Sequence, residues 1–281
     1  MKVCIVGIGL IGGSLAIDLK RRGFADTIVG VDSNIHHQNI ALHSGLVDEI
    51  DTLQNAVSKS ELIILSTPVN VNREMLPDIL NWIGETNKVV TDMGSTKAGI
   101  ANAVINHPNR GRYVASHPMA GTEFSGPMAA IGKLFDYKHA IICDPELSDA
   151  DALETVMALY KTLNMRLSYM KSVEHDIHVA YVSHISHITS FSLALSVLAK
   201  EKDEGTILKL AGGGFDSTVR LAKSNAETWA PIFLQNAEYI IEVMDSYLEK
   251  MNLFKKYILE KNQDGLKDLM NEANTIRKIL N

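Results

Sequence analysis

Cysteine is nearly absent: Cys4 and Cys143 are the only two in 281 residues. Both lie in apolar, strand-like runs with no metal-ligand spacing. They exclude a disulfide framework and read as buried, reduced thiols of a cytoplasmic protein. An excess of positive charge is also missing. Lys and Arg number 27 against 33 Asp and Glu, a formal net charge of −6. That leaves no footprint for nucleic acid and no polybasic patch for a membrane surface. No apolar run is expected to be long and clean enough to span a bilayer. The apolar N-terminus has only Lys2 before it and is broken by Gly7, Gly9, Gly12 and Gly13, which fits a strand, turn and helix better than a signal peptide. Low-complexity segments and internal repeats are absent too.

What remains is an ordinary globular composition, 46% hydrophobic and 21% charged, in a chain long enough for two domains. Short β-branched runs occur at residues 2–7, 27–32, 61–68, 88–95, 112–118 and 139–145. Helical patterns separate most of them. Such alternation predicts an α/β domain with a doubly wound, mainly parallel sheet. After about residue 170 the pattern changes. Residues 172–199, 226–262 and 264–280 read as helices with no convincing strand between them. The expectation is a domain at residues 1–170 and an all-α domain at residues 171–281.

The run VGIGLIGGSL carries Gly7-x-Gly9-x-x-Gly12 between the first strand and the first helix, and Asp32 follows at the end of the second strand. This is the dinucleotide-binding pattern of a Rossmann domain. Gly7 makes the tight turn, and Gly9 lets a pyrophosphate approach the helix N-terminus beside Leu10 and Ile11. Gly12 permits close packing of helix and strand. Asp32 accepts from ribose hydroxyls and repels a 2′-phosphate, which favours NAD over NADP. Ser66, Thr67 and Pro68 end the next predicted strand on the same rim. Ser95 ends the one after it, near the expected nicotinamide end, while Thr96 reads as a helix cap.

His117 ends the fifth predicted strand on that rim, before a loop containing Gly121 and Gly126. A histidine beside a dinucleotide can take a proton from a substrate hydroxyl as hydride leaves the carbon. The long helical run holds His175, His178, His184 and His187. In a uniform helix at about 100° per residue, His184 and His187 sit about 180° and 120° from His175, and His178 about 300°. The two pairs then face opposite ways, so no metal site is expected. His184 and His187 share an apolar face and are candidates for an interdomain cleft. Arg220, after a triple glycine, offers a fork for a carboxylate.

Taken in order, VGIGLIGGSLA, DMGSTK, SHPMAGTEFSG, SHISH and GGGFDSTVRLAKSN resemble the prephenate/arogenate dehydrogenases of tyrosine biosynthesis over nearly the whole chain. The resemblance implies a Rossmann domain, a helical domain that forms a homodimer, and NAD-dependent oxidative decarboxylation of prephenate to 4-hydroxyphenylpyruvate. It implies that His117 is the catalytic histidine and Ser95 the serine that orients it and the substrate hydroxyl. Arg220 matches a carboxylate-binding arginine, and His187 a histidine near the pyruvyl side chain associated with prephenate rather than arogenate. His184, Thr122, Glu123 and Trp229 match substrate-pocket positions, with Glu123 as a gate. Ser217 stands where many relatives have Asp, and Asp216 precedes it. No fused chorismate mutase or regulatory ACT domain is expected.

Arogenate dehydrogenase is the nearest alternative. A β-hydroxyacid dehydrogenase or imine reductase would share the two-domain plan but give the catalytic role to a lysine such as Lys223, leaving His117 without purpose. A non-catalytic NAD-sensing protein would keep the glycine loop alone.

Overall fold

The computed structural model describes residues 1–279. By compactness the chain forms two units, Met1–Asn236 and a second from Ala237 onward. The first is built on an eight-stranded sheet in the order β3-β2-β1-β4-β5-β6-β7-β8. The strands are β1 (Lys2–Val6), β2 (Thr27–Val31), β3 (Glu49–Ile50), β4 (Leu62–Leu65), β5 (Val89–Asp92), β6 (Tyr113–Pro118), β7 (His139–Cys143) and β8 (Arg166–Met170). All pairs are parallel except β6 with β7, where His117 faces Ile141.

The central strands read as continuous apolar runs because both faces are covered. On β1, Val3 and Ile5 point into one core with Leu15 and Leu19 of α1 (Leu10–Arg21) and Leu159 and Tyr160 of α6 (Ala150–Thr162). Cys4 and Val6 point into the other, with Leu76, Ile79 and Leu80 of α4 (Val69–Ile83). The reversal of strand order between β1 and β4 opens a crevice at their carboxyl ends, where ligands bind in such sheets. The remaining helices of this half are α2 (Ile35–His43), α3 (Leu53–Lys59) and α5 (Ala98–Asn102).

Strands β3 and β8 are absent from the sequence reading. Each lies at an edge, and each lacks the buried apolar run that marks the central strands: β3 has two half-buried residues and β8 none that is fully buried. Ser95 and Thr96 do not cap α5. Its first N–H groups, of Lys97 and Ala98, donate to Asp176 instead, and Thr96 Oγ1 donates to Gln235.

The helical run after the sheet is interrupted where a single helix was expected. It comprises α7 (Ser172–Val179), a π-helical turn at Ala180–His184, and α8 (Ile185–Glu204). Then follow α9 (Gly213–Val219) and α10 (Ala226–Gln235); the second unit contains α11 (Ala237–Leu259) and α12 (Gln263–Ala273). Against expectation, the run Ser172–Glu204 is long and apolar enough to cross a bilayer by length and composition alone. Its polar residues are largely uncharged Ser, Thr and His, which do not interrupt it. Three of those histidines are buried inside the first unit.

Candidate active site

The glycine turn is dictated by crowding. Gly7 has φ of +88°, and a Cβ there would lie 2.7 Å from the Ser66 carbonyl oxygen. A Cβ on Gly12 would lie 2.0 Å from the Gly7 carbonyl oxygen. Gly9 is different: nothing stands within 4 Å of its missing Cβ, so the space above the N-terminus of α1 is open. Ser66 Oγ donates to the Gly7 carbonyl, 2.7 Å away, and ties β4 to the turn. Asp32 is held by N–H donors from Ile8 to Oδ2 and from Asn34 to Oδ1, both at 2.9 Å, with His37 Nδ1 3.5 Å from Oδ2. An open helix N-terminus beside an anchored carboxylate fits a dinucleotide: the first suits its pyrophosphate, the second its ribose.

These groups line one cavity of about 1170 Å³. Gly7, Gly9, Leu10, Ile11 and Asp32 form one end, with Ser66, Thr67 and Pro68 from the end of β4. Ser95, Thr122, Glu123 and Trp229 line the rest. Gly12 lies beneath the wall rather than in it. Its role is packing.

His117 stands at the end of β6, 8% exposed. Its Nδ1 is 2.8 Å from His175 Nε2, and His175 Nδ1 is 2.8 Å from Asp176 Oδ1. The protons in this chain can be assigned. A carboxylate only accepts, so His175 Nδ1 carries the hydrogen. Burial pushes the His175 pKa down, against the pull of Asp176, so its ring is neutral and Nε2 accepts. His117 Nδ1 must then donate, which leaves His117 Nε2 as a free lone pair. Burial, then the cost of charging it beside the His175 ring and the Lys97 ammonium, hold His117 well below the ordinary histidine value. The arrangement provides a neutral imidazole base of fixed tautomer.

Lys97 braces this centre from behind. It is fully buried, paired with Asp92, and donates to the Ser116 carbonyl at 2.6 Å. Tyr113 donates its hydroxyl to the other Asp92 oxygen at 2.6 Å. A buried charge needs such pairing, and this one ties β5 to β6 directly behind His117.

The loop after His117 is strapped to the cofactor helix. Ile131 N–H donates to Ser14 Oγ at 3.0 Å, and Lys133 N–H to Asp18. Gly126 is required by its φ of +81°. Gly121 is not crowded, since a Cβ there would meet nothing within 4 Å. At the loop's tip Glu123 pairs with Arg220 at 3.2 Å. Trp229 stacks on His187, with ring centroids 3.3 Å apart and 24° between planes.

Two family models cover nearly the whole chain. The nucleotide-binding domain of prephenate dehydrogenase matches residues 15–169, and the dimerization domain of prephenate dehydrogenase matches residues 171–272. The chain belongs to the prephenate dehydrogenase family. A relative from Bacillus subtilis named prephenate dehydrogenase is 30% identical over 268 residues, covering 94% of this chain and 72% of the relative. The solved prephenate dehydrogenase of Aquifex aeolicus, in complex with hydroxyphenyl propionate and NAD+, superposes with a TM-score of 0.88 at 29% identity, covering 100% of this chain and 98% of that one. The arogenate dehydrogenase of Synechocystis gives 0.77 at 27% identity, with 99% of both chains covered.

The glycine turn, Asp32, the β4 end, Ser95 and the 119–126 loop thus come together around one cavity. Arg220 and His187 join it through Glu123 and Trp229. The two histidine pairs do not face opposite ways in the sense expected. The π turn adds one residue, which rotates everything after it by about 100°. On that count His184 and His187 fall about 80° and 20° from His175, on one face. All three are buried and His178 is exposed. His175, Asp176, Lys97 and Asn236 were missed as site residues. For His175 and Asp176 the signal was present as the adjacent pair in VEHDIH. Nothing local marks Lys97 or Asn236, because their partners are distant in sequence.

Proposed function

We propose that the protein is a prephenate dehydrogenase, oxidising and decarboxylating prephenate to 4-hydroxyphenylpyruvate with NAD. The observation that carries this reading is the tautomer chain Asp176–His175–His117 beside the dinucleotide cavity. It offers a base, a hydride acceptor's site and a carboxylate anchor within one fold, in a chain of this family. Gly7, Gly9, Leu10 and Ile11 would hold the pyrophosphate, Asp32 the adenosine ribose, and Ser66, Thr67 and Pro68 the nicotinamide half. When bound, NAD accepts the hydride from the ring carbon that bears the hydroxyl.

His117 Nε2 takes the hydroxyl proton as that carbon becomes a carbonyl. Ser95 orients the hydroxyl. The carbonyl is then conjugated to the ring carbon bearing the carboxylate, so CO2 leaves and the ring aromatises. Arg220 exchanges Glu123 for a substrate carboxylate, so that Glu123 acts as a gate bordered by Thr122. His187 and Trp229 pack on the side chain. The binding and positioning done by these residues convert the reaction to an intramolecular one in effect.

Residues 1–170 form the dinucleotide-binding domain in this reading, and 171–281 the substrate and dimerisation domain. The protein works as a cytoplasmic homodimer without nucleic acid or membrane. Exposed Leu195 and Leu198 on α8 support the dimer. The hydroxyacid reading loses its base: Lys223 is exposed and paired with Asp216 at 2.9 Å.

The test is nicotinamide reduction by the purified protein with prephenate or arogenate, and NAD or NADP. Reduction with prephenate and NAD, with 4-hydroxyphenylpyruvate recovered, is expected. Turnover of arogenate alone would keep the family and overturn the role of His187. Inactivity with both would overturn the reading.

A further inference from the structure

One buried donor is left over in this network. His184 is 1% exposed, and its Nε2 has no hydrogen-bond partner among the described residues. Its Nδ1 lies 3.0 Å from Asn236 Nδ2. The same Nδ2 lies 2.8 Å from the carbonyl oxygen of Asp176. A carbonyl oxygen only accepts, so the Asn236 atom facing it must be the amide nitrogen, and a flipped amide is excluded. That nitrogen has two hydrogens. One goes to the Asp176 carbonyl and the other to His184 Nδ1, so Nδ1 accepts. Burial lowers the His184 pKa to about 4, so its ring is neutral and its single proton must sit on Nε2. The ring stands edge-on to Trp229, 6.0 Å between centroids at 82°, and Trp229 lines the cavity. An interior N–H without a partner is rare in a native fold and marks a place where something else supplies the acceptor.

We propose that Asn236, the residue that caps the end of α10, is a positioning residue for substrate recognition: it locks His184 as the Nε2–H tautomer so that this N–H donates to an oxygen of the bound substrate. The inference rests on the prephenate reading above. Two groups of prephenate qualify, the side-chain keto oxygen and the side-chain carboxylate, and 4-hydroxyphenylpyruvate keeps both. They are separable chemically. Arogenate replaces the keto oxygen with an ammonium group, which donates and cannot accept. A lock aimed at the keto oxygen therefore selects prephenate, whereas one aimed at a carboxylate serves both substrates alike.

The experiment uses the full-length protein with 15N-labelled histidine. In the wild type, His184 should show a protonated Nε2 and an unprotonated Nδ1, and the Nε2–H resonance should shift on adding 4-hydroxyphenylpyruvate. A proton on Nδ1, or no shift with product, overturns the proposal. Asn236→Asp replaces the donor with an acceptor and should move the proton to Nδ1. Asn236→Leu, the second variant should the first not fold, removes the lock. Either variant should raise KM about tenfold or more while kcat changes little, the expected consequence of one lost hydrogen bond made in the ground state. A rise for prephenate but not arogenate assigns the keto oxygen; an equal rise for both assigns a carboxylate. A changed tautomer with unchanged KM for both overturns the proposal. Should the wild type turn over neither substrate, the functional reading fails, while the wild-type tautomer and its response to product still decide the lock.

Discussion

His117 Nδ1 lies 2.8 Å from His175 Nε2, and the far nitrogen of His175 is fixed by Asp176. This contact decides which nitrogen of His117 is free. Reversing the proton order would place a hydrogen on the atom that has to accept one.

Asp176→Asn is the direct way to reverse it. An amide nitrogen can donate to His175 Nδ1, moving protons along the chain until His117 Nε2 is occupied. The expected result is a fall in kcat by roughly 10²–10⁴-fold, the scale seen when a histidine base is forced into the wrong tautomer. NAD affinity should be retained. Asp176 also accepts the N–H groups of Lys97 and Ala98, so thermal stability is measured alongside. A folded variant with unchanged kcat would remove the chain from the mechanism.

Gly9→Ala and Gly12→Ala should separate binding from packing. Space is open at Gly9, so its alanine variant should fold as the wild type does and lose about tenfold or more in NAD affinity. At Gly12 a Cβ would collide with the Gly7 carbonyl at 2.0 Å, so the melting temperature itself should drop. Calorimetry with and without NAD measures both. Equal behaviour of the two variants would contradict the assignment.

The glycine turn, Asp32, the strand ends and His117 were legible because each is marked locally: by glycines, by a strand run, or by position at its end. The helical phase was not. A straight-helix count separates His175 from His187, and only the π turn at Ala180–His184 brings them to one face. That turn has no residue signature. Strands β3 and β8 were hidden for a related reason, since an edge strand need not be apolar on both faces. The buried pair Lys97–Asp92 reads as ordinary polar sequence until the sheet closes around it.

Acid should destabilise the fold through its histidines. His117, His175, His184 and His187 all have pKa values lowered by burial in the native state. Below the ordinary value of 6.5 the unfolded chain takes up protons that the folded chain refuses. Stability therefore rises with pH through that window and is lost as pH falls beneath it. Denaturant melts at pH 7.5 and 5.5 should show a lower midpoint at the acid pH, with net proton uptake on unfolding. A midpoint that rises on acidification would contradict the buried neutral state.

Arg220→Ala should act on binding. Its partner Glu123 borders the cavity, and a substrate carboxylate would take that partner's place. The loss of a charged hydrogen bond is worth roughly 1.5–3 kcal/mol, so KM for prephenate should rise about ten- to a hundred-fold with a smaller change in kcat. Glu123→Gln removes the competing partner and should not raise KM to that extent. An unchanged KM in Arg220→Ala would mean that the carboxylates bind elsewhere.

The most direct measurement is single-turnover formation of reduced nicotinamide by His117→Asn, beside the wild type, with NAD affinity determined on both. The asparagine keeps a polar group of similar reach and removes the basic ring nitrogen. Near-normal NAD binding with product formation reduced by at least about 10²-fold is the predicted result. Wild-type rates of product formation in the variant would contradict the account, because His117 Nε2 is the lone pair that the Asp176–His175 chain holds free beside the cavity.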